Sequence, residues 1–78
     1  MNALELLKLM PREQQVTITN GIKSFTEGFN IRGTAIRLIK ENSKYIKRTV
    51  EGFYITSEFD WDNEEAKNKI IITVCGVA

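Results

Sequence analysis

The sequence predicts an α+β domain of order α-β-β-α-β-β, with a four-stranded antiparallel or mixed sheet and the helices packed on one face. Three observations predict it. Two stretches, 3–10 and 34–48, place apolar residues at helical spacing. Four others are rich in β-branched and aromatic residues. The chain has 78 residues, 42% hydrophobic and 27% charged, which suits one soluble domain spanning 1–78. Helices and a sheet bury their apolar sides only by stacking, which gives two layers.

The first helix is expected over Ala3 to Met10, with Asn2 as N-cap and Leu4, Leu7 and Met10 on one stripe beside Leu6. Pro11 ends it, because the residue before a proline is pushed out of the helical region. A helix this short needs a sheet to dock on. Gln15 to Thr19 alternates and reads as a strand, and Asn20-Gly21 follows as the strongest short-range hairpin signal. The second strand is therefore expected from Ile22 toward Arg32, pairing Ile18 with Lys23 across a two-residue turn. Phe25, Phe29 and Ile31 share a face there, and Glu27-Gly28 marks a candidate bulge.

Gly33-Thr34 stops that strand and caps a second helix. Ala35, Leu38, Ile39 and Ile46 fit one helical face through Arg48. Asn42-Ser43 leaves two options open: an unbroken helix, or a stop with Ser43 capping a short further turn. Thr49 to Phe59 makes the third strand, Asp60 to Asn68 a polar acidic loop, and Lys69 to Cys75 the fourth strand. Ile70, Ile72 and Val74 form one face of that last strand and Ile71, Thr73 and Cys75 the other, which marks a central strand or one covered by a helix on one side and a partner on the other.

Composition removes many chemistries. Histidine is absent and Cys75 is the single cysteine, so a standard zinc site and Ser–His or Cys–His nucleophiles are excluded within one chain. Cys75 has no internal disulfide partner, which favours a reducing cytosolic setting. No basic leader or long apolar run appears, so no membrane association is expected. No glycine-rich phosphate loop or paired acid/base constellation is present, and neither an enzyme nor a bound cofactor is expected.

Two charged features remain. Arg37, Lys40, Lys44 and Lys47, with Arg48 beside them, stack on one face if the second helix is continuous. Such a stripe could contact an anion or nucleic acid by counterion release, or could simply be a solvated face. The net charge of +1 gives no general pull toward nucleic acid, which is therefore not the favoured partner. The second feature is Glu58, Asp60, Asp62, Glu64 and Glu65 around Trp61. Its Asp-x-Asp spacing fails as a calcium loop, since Glu65 stands where glycine is needed and Ile71 where a bidentate glutamate is needed. Trp61 is either tucked on the sheet or an exposed anchor for a partner. The acidic, aromatic loop could also imitate nucleic-acid phosphates toward a basic groove.

The LLKLMP helix, the VTIT strand, the AIRLIKEN helix, the TVEGFYI strand and the closing IIITV strand together resemble small accessory proteins of Gram-positive phages and mobile elements. The resemblance lies in layout and carries no catalytic residue. It implies a protein of the host bacterial cytosol that binds a host protein, with inhibition of a defence-system component as one such role. A homo-oligomer is also expected, because a chain this small buries only about 60% of its unfolded surface. The other readings are nucleic-acid binding through the basic helix, or a structural homo-oligomer holding a small ligand.

Overall fold

A computed structural model describes residues 1–78. Its elements are α1 (Ala3–Leu9), β1 (Gln15–Thr19), β2 (Asn30–Thr34), α2 (Ala35–Glu41), a 3-10 helix (Lys44–Lys47), β3 (Val50–Asp60) and β4 (Glu65–Val74). The sheet is mixed, in the order β2-β1-β4-β3, with β1 antiparallel to β2, parallel to β4, and β4 antiparallel to β3. The last strand is thus central, one of the two placements that its apolar faces leave open. No helix is long and apolar enough to cross a membrane.

Alternation along the strands decides which side is covered. Val16, Ile18, Ile72 and Val74 turn to one side, where they are buried with Ala3 and Leu7 of α1, Ala35 and Leu38 of α2, and Ile46 of the 3-10 helix. Both helices therefore share that face. The opposite face carries Thr17, Thr19, Ile71, Thr73 and Tyr54 and has no second layer. Asn2 caps α1 through a reciprocal capping box: its side chain accepts from the Glu5 amide and the Glu5 carboxylate accepts from the Asn2 amide.

The second strand, Gly28 and residues 65–68 differ from the sequence expectation, and the choice left open at Asn42-Ser43 is decided. The tight hairpin at Asn20-Gly21 does not form, and Ile18 pairs with Ile31 rather than Lys23. Asn20 spends its side chain on closing a longer loop instead. Its Oδ1 accepts from the Ile22 and Phe29 amides, and its Nδ2 donates to the carbonyls of Glu27 and Gly76. Gly28 is a loop residue rather than a strand bulge; a Cβ there would run into the backbone carbonyl of Ile22, so the loop closes only on glycine.

The second helix is broken. Asn42 takes a left-handed conformation (φ 50°, ψ 45°), its amide donates to the Leu38 carbonyl, and Ser43 caps the 3-10 helix. β2 ends at Gly33-Thr34 as expected, with Gly33 lying against Leu38 and Arg37 of α2 and the Thr34 side chain capping that helix by accepting from the Arg37 amide. Finally, residues 65–68 are strand rather than loop. Cross-strand partners supply what their low β-propensity lacks: Glu58 faces Lys67, and the Ser57 hydroxyl donates to Asn68 at 2.9 Å.

Candidate binding surfaces

The basic stripe does not exist as one surface. Because the helix stops at Asn42, Arg37 and Lys40 separate from Lys44, Lys47 and Arg48. Arg37 forms an i,i+4 ion pair with Glu41 at 2.9 Å. Arg48 lies over a stacked aromatic pair, 4.9 Å from the Tyr45 centroid and 5.3 Å from that of Phe29, and its Nη1 donates to the Cys75 carbonyl at 3.5 Å. Lys44 sits over the other part of the same cluster, 5.2 Å from the Tyr45 centroid. Of the five cations, Lys40, Lys44 and Lys47 have no ion-pair or hydrogen-bond partner, and Lys44 alone of these three lies over an aromatic ring. Arg48 is a clamp between the 20–29 loop, the 3-10 helix and the chain after β4, and is not a free contact for an anion.

The acidic residues are gathered at the end of a long hairpin. β3 and β4 run on beyond the helix layer and close at a four-residue turn, Trp61 to Glu64. Asp60 builds that turn. Its Oδ1 accepts from the Asp62 and Asn63 amides, its Oδ2 accepts from the Asn63 side chain at 2.8 Å, and Lys67 pairs with it at 3.2 Å. The Asn63 hydrogen bond, followed by that from Lys67, holds the Asp60 carboxyl below its ordinary pKa. Lys67 also reaches Glu65, and Lys69 reaches Glu58, each at 3.7 Å. Asp62 and Glu64 have no ion-pair partner and project from the tip, Glu64 in a left-handed conformation (φ 53°).

Trp61 is 82% exposed, packed edge-on against Phe59 with ring centroids 4.5 Å apart. It stands out from the tip and is not tucked back on the sheet. Sequence reasoning found this residue but missed its neighbours. Phe53 and Ile55 fall on the helix side of β3, yet they are 60% and 64% exposed because the helices cover β1 and β4 and stop short of this edge strand. Nothing in the alternation of TVEGFYITSEF marks these side chains as uncovered; only the strand order does.

The charge is polarised between arm and body. From Glu51 to Lys69 the chain carries six acidic residues and two lysines, while the remainder carries four acidic and nine basic residues. No group of three or more Cys, Asp or Glu side chains converges as metal ligands would. The most enclosed depression, about 280 Å³, lies on the open sheet face among Gln15, Arg32, Glu58, Lys67 and Lys69. Two of its three cations are already paired with acids. Compared with known proteins, the chain matches no protein-family model, no curated protein and no solved structure.

Proposed function

We propose that this is a non-enzymatic binding protein, an accessory protein of a phage or mobile element that occupies a surface on a host protein. The carrying observation is the exposed, acidic, aromatic tip of the β3–β4 arm: Trp61 with Asp62 and Glu64 on a turn that Asp60 and Asn63 hold rigid. A projecting tryptophan fits an apolar pocket, and the surrounding carboxylates steer it toward a basic rim. Asp60, Glu58 and Glu65 contribute less to such a contact, because each already neutralises a lysine of β4. The layout resemblance to phage accessory proteins supports a bacterial cytosolic setting and a defence component as target.

The test keeps Asp60, so that the turn survives, and combines Trp61→Ala with Asp62→Lys and Glu64→Lys. A tagged wild-type protein should retain a discrete host protein from lysate in a form that low salt strengthens. The triple variant should lose it while keeping its circular dichroism spectrum. Equal retention by both proteins would remove the tip from the mechanism.

A further inference from the structure

We infer that two copies of the chain join through the free edge of β3, extending the sheet across a twofold axis at Ile55. β3 is an edge strand of eleven residues, against five in the other edge strand, β2. Its beginning is already covered: the Val50 amide donates to the Met1 carbonyl, and Asn2 bridges to Thr49. Its end runs into the turn at Trp61. What stays unpaired is Glu51 to Phe59, about 30 Å of backbone at strand spacing. The midpoint of that window is Ile55.

Edge strands are commonly guarded by proline, lysine or inward charge. From Gly52 to Ser57 the sequence is GFYITS, with none of these. Antiparallel pairing about Ile55 sets Phe53 opposite Ser57 of the second copy, Tyr54 opposite Thr56, and Gly52 opposite Glu58. No acid faces an acid. Ile55 would meet its own copy on the axis, and Phe53, left bare with it by the short helix layer, would meet the opposing Ile55 diagonally, so that the four side chains form one apolar cluster.

The ends complement each other as well. Asp60 of one copy falls beside Val50 of the other, so each acidic turn arrives where Lys47 and Arg48 lead into the opposing strand. Four side chains, Phe53, Tyr54, Ile55 and Phe59, are about half exposed or more. At roughly 100 Å² each, two copies offer about 800 Å² of apolar side chain, and the backbone edge carries the total past the ~1,000 Å² of a specific interface. The pairing is independent of any host protein held at the tip.

Sedimentation equilibrium from low-micromolar to near-millimolar concentration tests this directly. The wild-type mass should rise from 8.9 kDa to twice that value. Ile55→Lys places two cations against each other on the axis, at an exposed position the fold tolerates, and should weaken the dimer about tenfold or more. In a Cys75→Ala background, Ile55→Cys should form an intermolecular disulfide under mild oxidation, since facing strand residues lie within disulfide reach. Glu51→Cys, whose opposite number is Phe59, should not. A monomer at every concentration overturns the proposal, as does a dimer unaffected by Ile55→Lys or the absence of the Ile55→Cys crosslink.

Discussion

The Arg48 guanidinium lies 4.9 Å from the centroid of Tyr45, whose ring is itself stacked on Phe29 at 3.9 Å. This stack ties the 20–29 loop to the 3-10 helix, and the Arg48 bond to the Cys75 carbonyl brings in the end of β4. Arg48→Ala should therefore cost about 1–2 kcal/mol in urea-induced unfolding, from its half-buried cation–π contacts with Tyr45 and Phe29 and one charged hydrogen bond. Arg48→Lys should recover less than half of that, because an ammonium has no planar face to lay on the rings. Full recovery by lysine would reduce the site to simple charge.

Thr17 is 5% exposed, and its hydroxyl has no hydrogen-bond partner. It lies on the open face of β1, in register with Arg32 on one side and Ile71 on the other. A buried hydroxyl that returns no hydrogen bond carries its desolvation cost without compensation. Thr17→Val keeps the β-branch and should raise stability by about 1 kcal/mol, read from the denaturant midpoint. A lowered midpoint would show that Arg32 or a bound water satisfies the hydroxyl in solution.

These two sites mark where sequence legibility ended. The layer order, the capping of α1 by Asn2 and the faces of β4 followed from spacing, because each depends on residues close together in the chain. The 20–29 loop did not. Asn20-Gly21 carries a true turn preference, but the Asn20 side chain gains four partners, one of them at Gly76, that no local window contains. The basic stripe depended on the unbroken option at Asn42-Ser43, which the fold does not take: Asn42 accepts left-handed backbone cheaply, and Ser43 caps a separate 3-10 helix. Trp61 was legible as a residue to watch because it stands among charges, although the sequence left tucked and exposed placements both open, whereas Phe53 and Ile55 look like ordinary core positions until β3 is known to be an edge.

The turn that carries Trp61 should open in acid. Asp60 titrates below its ordinary value of 3.8, with the Asn63 side-chain hydrogen bond as the first cause. A depressed folded-state value means that its stabilisation is fully present above 3.8 and is lost as pH falls through the lower, folded value. Lys67 is shifted the other way, above 10.5, first by its hydrogen bond to Asp60, so its share is fully present below 10.5 and lost as pH rises through the higher, folded value. The midpoint difference between wild type and Asp60→Asn should accordingly be flat through neutral pH and shrink below 3.8. A difference that persists in strong acid would assign the effect to shape and not to charge.

Stability and binding should separate cleanly between two large residues. Ile46 is fully buried at the junction of the 3-10 helix with α1 and the sheet, in a core of only nine apolar residues. Ile46→Ala leaves a cavity and should cost about 2–4 kcal/mol, a large share of what so small a domain has. Trp61 is the larger residue, but it is 82% exposed at the tip of the arm, with Phe59 as its aromatic neighbour. Trp61→Ala should shift the unfolding free energy by no more than about 0.5 kcal/mol. An exposed tryptophan whose removal leaves the fold intact is free to serve as a contact for another molecule. A loss above about 1.5 kcal/mol from Trp61→Ala would instead make the Phe59–Trp61 pair part of the hairpin's own support and remove the argument for it as an anchor.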